Sequence, residues 1–237
     1  MQEIPKPARK IGLGYGSLTG RLPSPKTQVT HDYESSLERD LIYVLEFDNR
    51  VAAYQEQPLT IRYEWEGKSR RYTPDFLIHY HPDPLTGLTP KPLLVEVKYR
   101  DKLRADWRLL KPKFVAAGRY ADAQGWRFKL LTEREIRQPF LGNARFLWPF
   151  LQPGVRVNAC DVALVRHWIG ELRQTTPQEL LVAASADWQK QAELLYVLWV
   201  MVAYRVVGCD LTRKLTMVSE IWYDDHRTPL TLPHEAA

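Results

Sequence analysis

The residues whose types and spacing could carry a reaction are Thr73–Pro74–Asp75–Phe76 and Val95–Glu96–Val97–Lys98. Alternate side chains of a strand point to one face, so Glu96 and Lys98 project together while Val95 and Val97 turn into a core. Asp75 opens a second apolar stretch, Phe76–Ile78. If the two stretches lie side by side, Asp75 and Glu96 converge beside an ammonium. Phosphodiester hydrolysis asks for that set. Mg²⁺ is a hard cation that takes oxygen ligands, commonly one or two carboxylates plus waters. It acidifies a bound water and offsets charge building on the phosphate, and a neighbouring lysine orients that water and stabilises the developing charge. The same Glu-x-Lys spacing also fits a solvent-facing ion pair, worth about 0–1 kcal/mol.

A third carboxylate comes from a predicted helix over Glu34–Glu46, whose apolar stripe is Leu37, Leu41, Ile42 and Leu45. Glu38 lies three, four and seven residues from the last three, at the edge of the core-facing stripe. A carboxylate there is costly without a cation or hydrogen bonds. Glu34 sits similarly at the helix start, and periodicity does not choose between them.

The elements that must position these groups read as an α/β layout around a mixed sheet. Strands are expected at Val51–Tyr54, Ile61–Trp65, Arg70–Tyr80, Leu93–Tyr99 and Trp126–Leu131, with a turn at Glu66–Gly67–Lys68 and a Pro/Gly-rich loop over His81–Pro92. A helix over Asp101–Ala123 is perturbed at Pro112, and Thr132 with Glu135 forms a capping box for a short helix. Residues 1–30, rich in Gly and Pro with Lys6, Arg9, Lys10, Arg21 and Lys26 against Glu3 alone, read as a flexible basic arm. Pro139 and Pro149 mark a boundary, placed at 149/150. Beyond it, helices over Asp161–Arg173, from Pro177 behind the cap Thr176 and its box partner Glu179, and over Asp187–Arg205, then strand-like Val206–Leu211 and Leu215–Tyr223, suggest a winged-helix-like module.

The charge distribution sharpens this division. From Arg156 onward there are 8 Lys/Arg against 10 Asp/Glu; before it, 25 against 18, within a net +5 for the chain. A basic front beside a slightly acidic rear suggests that nucleic acid, if bound, meets the front; a basic solvated face fits the same charges. Arg104, Arg108 and Lys111 share a helical face after the Glu96 strand and suit flanking phosphates, or simply solvent. The apolar run Leu194–Met201 is ill suited to a DNA groove, where Arg, Asn or Gln must reach base edges; the rear module is read as a protein-docking one. Several classes fall away. Two cysteines, Cys160 and Cys209, make no disulfide framework, pointing to a reducing cytoplasm. The six histidines show no ligand or relay pairing. No Gly-rich loop leads into Lys–Ser or Lys–Thr, which excludes a P-loop ATPase. Met1–Lys10 lacks a secretion signal's apolar core, and the longest apolar run is too short for a membrane span of about 20 residues.

The series Leu37–Glu38, Leu45–Glu46–Phe47, Glu56–Gln57–Pro58, Thr73–Pro74–Asp75–Phe76–Leu77 and Glu96–Val97–Lys98, closed by Thr132–Glu133–Arg134–Glu135–Ile136, resembles in order and spacing the TnsA family of transposon endonucleases over residues 31–138. That resemblance implies a restriction-endonuclease-like catalytic domain at 31–149 and a partner-docking domain at 150–237. It implies catalytic residues Glu38, Asp75, Glu96 and Lys98, the three carboxylates holding one or two Mg²⁺, and it selects Glu38 over Glu34. Some relatives carry Gln where Glu96 stands. It further implies cleavage of the 5′ strands at transposon ends in double-stranded DNA, together with a TnsB-like transposase and a TnsC-like AAA+ ATPase that meets the C-terminal domain. The rival expectations are a stand-alone restriction or repair nuclease of the same fold, and a catalytically silent DNA-binding scaffold.

Overall fold

A computed structural model describes residues 18–223 and 232–233. The expectation of a flexible arm falls partly outside them, at 1–17. Its remainder is ordered: Gly20–Pro23 (β1) pairs antiparallel with Thr30–Tyr33 (β2). The turn between them docks on the following helix, α1 (Ser36–Phe47). Ser24 Oγ donates to Glu46 Oε1 at 2.5 Å, and Lys26 Nζ donates to the Leu45 and Asp48 carbonyls at 2.5 and 2.7 Å. An ammonium on the carbonyls of a helix C-terminus is favourable twice over, by hydrogen bonding and by the helix dipole. Those bonds order a stretch whose composition reads as irregular.

The chain continues through β3 (Val51–Glu56), β4 (Ile61–Trp65), β5 (Lys68–Tyr72), β6 (Phe76–Tyr80), β7 (Leu93–Val97), α2 (Arg100–Ala123), β8 (Arg127–Leu131) and α3 (Glu133–Ile136). Four strands form one sheet in the order β3-β6-β7-β8, antiparallel except for the parallel pair β7–β8 that α2 connects. This is the mixed sheet with flanking helices expected for a restriction-endonuclease-like fold. β7 is interior to the sheet and buried along its whole length, as its Leu-Leu-Val-Glu-Val run requires.

Where Arg70–Tyr80 reads as one strand, the structure has two, separated at Thr73–Pro74–Asp75. β4 and β5 form a hairpin of their own, closed by Glu66 and Gly67, both at positive φ; two-residue hairpin turns demand that conformation. Pro112 leaves α2 a continuous helix of 24 residues. Its inner face packs Ala117 and Ala121 against Ile61, Tyr72, Leu77 and Leu94. Small alanines let the helix approach the strands closely. The capping box at Thr132 forms: its backbone N–H donates to Glu135 Oε2 at 2.8 Å.

The described residues divide into two compact units, one up to Arg137 and one from Gln138 onward. The division therefore falls twelve residues before the boundary expected at 149/150. The reason lies in packing: α4 (Pro139–Leu147) and the 3-10 turn Trp148–Leu151 contribute Leu141, Ala144, Leu147, Trp148 and Leu151 to the buried set, and both contact the later helix Trp188–Ala203. Pro139 begins a helix, where its missing N–H costs nothing. The unit continues with α5 (Ala159–Leu172), β9 (Gln174–Thr175), α6 (Pro177–Ala184), α7 (Trp188–Ala203), β10 (Val207–Cys209) and β11 (Ile221–Tyr223). Its three short strands run antiparallel in the order β10-β11-β9. Gly208 lies against the Trp222 indole, 2.2 Å from where a Cβ would stand, so no larger residue fits. Residues Val197–Ala203 of α7 are all buried, which accounts for their apolar run. No helix among the described residues is long and apolar enough to cross a membrane.

Leu94 is fully buried on β7, beside Glu96. Leu94→Ala should lower stability by about 2–5 kcal/mol, read as a lower urea midpoint with unchanged m-value. A midpoint shift below about 1 kcal/mol would show that this strand is not the centre of the core.

Candidate active site

Asp75 follows the Pro74 break and is fixed from both sides. Its N–H donates to the Val95 carbonyl at 3.0 Å, and its carbonyl accepts from Gln57 N–H at 2.8 Å. Its carboxylate Oδ2 accepts the Val97 N–H at 2.6 Å. Asp75 is thus held against the backbone on both sides of Glu96, so two acids twenty-one positions apart become neighbours. Proline before Asp75 supports this, since it has no N–H of its own to place.

Glu96 is 2% exposed and both of its oxygens are engaged. The Tyr72 hydroxyl donates to Oε2 at 2.7 Å, and Lys113 Nζ donates to Oε1 at 2.7 Å. Lys98 Nζ stands 3.8 Å from the same Oε1, with 35% of its side chain exposed. Sequence reasoning missed Tyr72 and Lys113. Lys113 comes from α2 and lies 4.6 Å over the Tyr72 ring and 5.0 Å over Phe114, a cation–π arrangement that holds ammonium and phenol together. Burial and the Glu96 charge push the Tyr72 phenol upward, so it remains a donor. The division of labour between the lysines follows from the distances. Lys113 holds the carboxylate, and Lys98 keeps an accessible amine.

Glu38 enters from the first turn of α1. Ser35 caps that helix, and Glu38 returns the bond: its Oε1 accepts from Ser35 Oγ at 2.7 Å and its Oε2 from the Glu34 N–H at 2.8 Å. The helix is tied to the end of β7 through Ser36 Oγ and Tyr99 OH, 2.8 Å apart, and through Arg137, which donates to Tyr99 OH at 2.7 Å and to the fully buried Asp40 at 2.9 Å.

The three acids repel one another. Burial pushes the Asp75 carboxyl well above the ordinary carboxylate range, Glu96 and Glu38 raise it further, and the Val97 N–H and Lys98 pull the other way. Burial also raises Glu38, against its hydrogen bonds to Glu34 and Ser35, with Glu34 and Glu96 adding charge. So the structure brings Glu38, Asp75, Glu96 and Lys98 into one electrostatic neighbourhood. Among the described residues, no group of three or more His, Cys, Asp or Glu side chains converges closely enough to hold one metal ion. The donor chemistry still fits Mg²⁺: hard oxygens whose mutual repulsion a dication relieves, of which one or two suffice with water completing the shell. Asp75 and Glu96 fit that requirement best, Glu38 being committed to its helix cap.

Arg104, Arg108 and Lys111 are exposed on α2, the helix that also carries Lys113. Gln57, beside Asp75, is buried at φ 43° with no hydrogen-bond partner for its Oε1 among the described residues. A left-handed non-glycine residue is strained, and such strain gathers at functional sites.

Residues 48–133 match a family model described as TnsA-like endonuclease N terminal. The match takes in Asp75, Glu96, Lys98 and Lys113 and begins after Glu38. No curated protein matches the chain. Those residues are therefore similar to the N-terminal domain of TnsA-like endonucleases.

An acid whose folded pKa lies above its unfolded value of 3.8 takes up protons more readily when folded. Its ionisation therefore removes stability as pH rises from about 4 toward the folded pKa. Asp75→Asn cannot ionise and retains an acceptor for Val97. Without divalent ions it should melt above wild type at neutral pH, the gap closing toward pH 4. Parallel melting curves from pH 4 to 8 would contradict the assigned repulsion.

Proposed function

We propose that this TnsA-like chain is a Mg²⁺-dependent endonuclease that cuts the 5′, non-transferred strands at transposon ends. It would act on double-stranded DNA with a TnsB-like transposase and a TnsC-like AAA+ ATPase, in the bacterial cytoplasm. The observation that carries the reading is Asp75 fixed against β7 beside Glu96, with Lys98 at 3.8 Å and accessible. Asp75 and Glu96 would hold the ion, Glu38 adding negative charge at its edge. Bound there, Mg²⁺ supplies an acidified water and offsets charge on the phosphate. Lys113 and Tyr72 keep the Glu96 carboxylate oriented. Lys98, the accessible amine, orients the attacking water and stabilises the oxygens that gain charge. Arg104, Arg108 and Lys111 would grip phosphates beside the cut.

For the rear unit we infer a winged-helix-like docking role. Its order of α5, β9, α6, α7, β10 and β11, with β11 between the other two strands, supports that reading. Burial of most of α7 argues for protein docking over groove reading. Retention of TnsC-like ATPase binding by a fragment ending at Arg137 would contradict it.

In a reconstituted excision assay scoring 5′-strand breaks, Lys98→Ala should cut at least about 100-fold more slowly while binding DNA as wild type does. Calorimetry should show Mg²⁺ uptake that Asp75→Ala abolishes. Full cutting by Lys98→Ala would remove the mechanism. Efficient cutting by the purified chain alone would make it a stand-alone nuclease.

A further inference from the structure

Gln57 carries two costs for which the fold alone gives no reason. Its backbone stands at φ 43°, in the left-handed region that favours glycine. Pro58 follows it, and a residue before proline is pushed toward extended backbone, so the chain here runs against two preferences. The second cost is in the side chain. Gln57 is 7% exposed, and its Oε1 has no hydrogen-bond partner among the described residues. A buried polar atom left without a donor is destabilising. Glycine would make the same turn with neither cost.

The segment is held firmly in this state. Glu56, just before it, pairs with His31 Nδ1 and accepts the Asp32 N–H at 3.4 Å. β3 and β6 set Gln55 opposite Leu77 and Glu56 opposite Phe76, and one step on Gln57 comes opposite Asp75. There its N–H donates to the Asp75 carbonyl at 2.8 Å. The Thr60 and Thr73 hydroxyls, 3.0 Å apart, keep the chain beyond it alongside the approach to Asp75. A strained residue with an orphaned oxygen therefore adjoins the first of the two acids suited to a cation.

The missing partner has a defined chemistry. An amide oxygen only accepts hydrogen bonds, and phosphate oxygens carry no proton to give. Base amines do donate, but they lie in the grooves of a duplex, out of reach of a residue so buried. Water is small enough to enter, and Asp75 is partly exposed. Mg²⁺ keeps several waters when protein carboxylates supply one or two of its ligands, and each of those waters has protons to place.

We propose that Gln57 is a positioning residue whose Oε1 accepts from a water of the cation held by Asp75 and Glu96. Its strained backbone is retained because it delivers that oxygen. Acting through the water, the amide fixes how the ion's shell is oriented, as outer partners of metal sites do.

The inference rests on the Mg²⁺ reading above, and its test needs no cutting. Calorimetry would follow Mg²⁺ uptake by the full chain as wild type, Gln57→Leu and Gln57→Glu, with the melting of each in EDTA. Gln57→Leu removes the acceptor at similar size and should bind Mg²⁺ about 10- to 100-fold more weakly. In EDTA it should melt at or above wild type, since an unpartnered polar atom has gone. Gln57→Glu keeps an acceptor oxygen and should bind at least as tightly as wild type. Undiminished affinity in Gln57→Leu overturns the proposal and leaves the metal reading intact. A lower melting temperature or failure to fold in that variant also overturns it, because the amide is then structural. Weak binding by both variants does the same, since the acceptor is then not what matters. A wild-type chain that takes up no Mg²⁺ overturns the metal reading as well.

Discussion

Carboxyl groups confined together inside a protein repel, and the front unit is organised around that repulsion. Glu38, Asp75 and Glu96 arrive from a helix, a strand entry and an interior strand; Glu96 and Glu38 raise the cost of ionising Asp75, and Glu96 that of Glu38. Left unbalanced, such a group takes up protons or destabilises the fold. Here the balance is local and specific: a backbone N–H and Lys98 for Asp75, a phenol and Lys113 for Glu96, a helix-start N–H and hydroxyl for Glu38. The arrangement is compensated well enough to fold around its own repulsion.

The surrounding fold reads as the means of holding that tension. A central strand buried on both faces gives Glu96 a rigid base. The parallel β7–β8 pair forces a crossover, and the crossover helix returns over the strands to deliver Lys113. Arg137 anchors α1 through buried Asp40, so the cap that occupies Glu38 cannot drift from the sheet. Function of this type needs groups fixed to within fractions of an ångström, and elements with two or more independent ties supply it.

Much of this was legible in the residues. The nearly continuous apolar run Leu93–Val97, the capping boxes at Thr132 and Thr176, and the Pro–Asp before an apolar run each name their own structure. What stayed hidden depends on partners distant in sequence. β1 is composed like a loop and becomes a strand only because Ser24 and Lys26 find the end of α1. In the sequence Lys113 is one more cation two residues after Lys111; only the path of α2 turns it toward Glu96. Tyr72 falls near the start of the strand expected over Arg70–Tyr80, and only the structure shows that the strand ends there and resumes at Phe76. The unit boundary was ambiguous between two prolines, since either one can end a domain or start a helix.

The loop between β6 and β7 has its own consequence. Residues 82–91 are exposed throughout, and Asp83 ties the bend to itself by accepting from the Leu85 and Thr86 N–H groups. The strands it joins are already registered to each other and to their outer neighbours. Loop closure grows only logarithmically with length, about 0.6 kcal/mol per doubling, so added sequence there leaves the carboxylates where they are. That makes the connection a natural port for grafting, where evolution or an engineer can append a peptide or a whole module without retuning the catalytic unit.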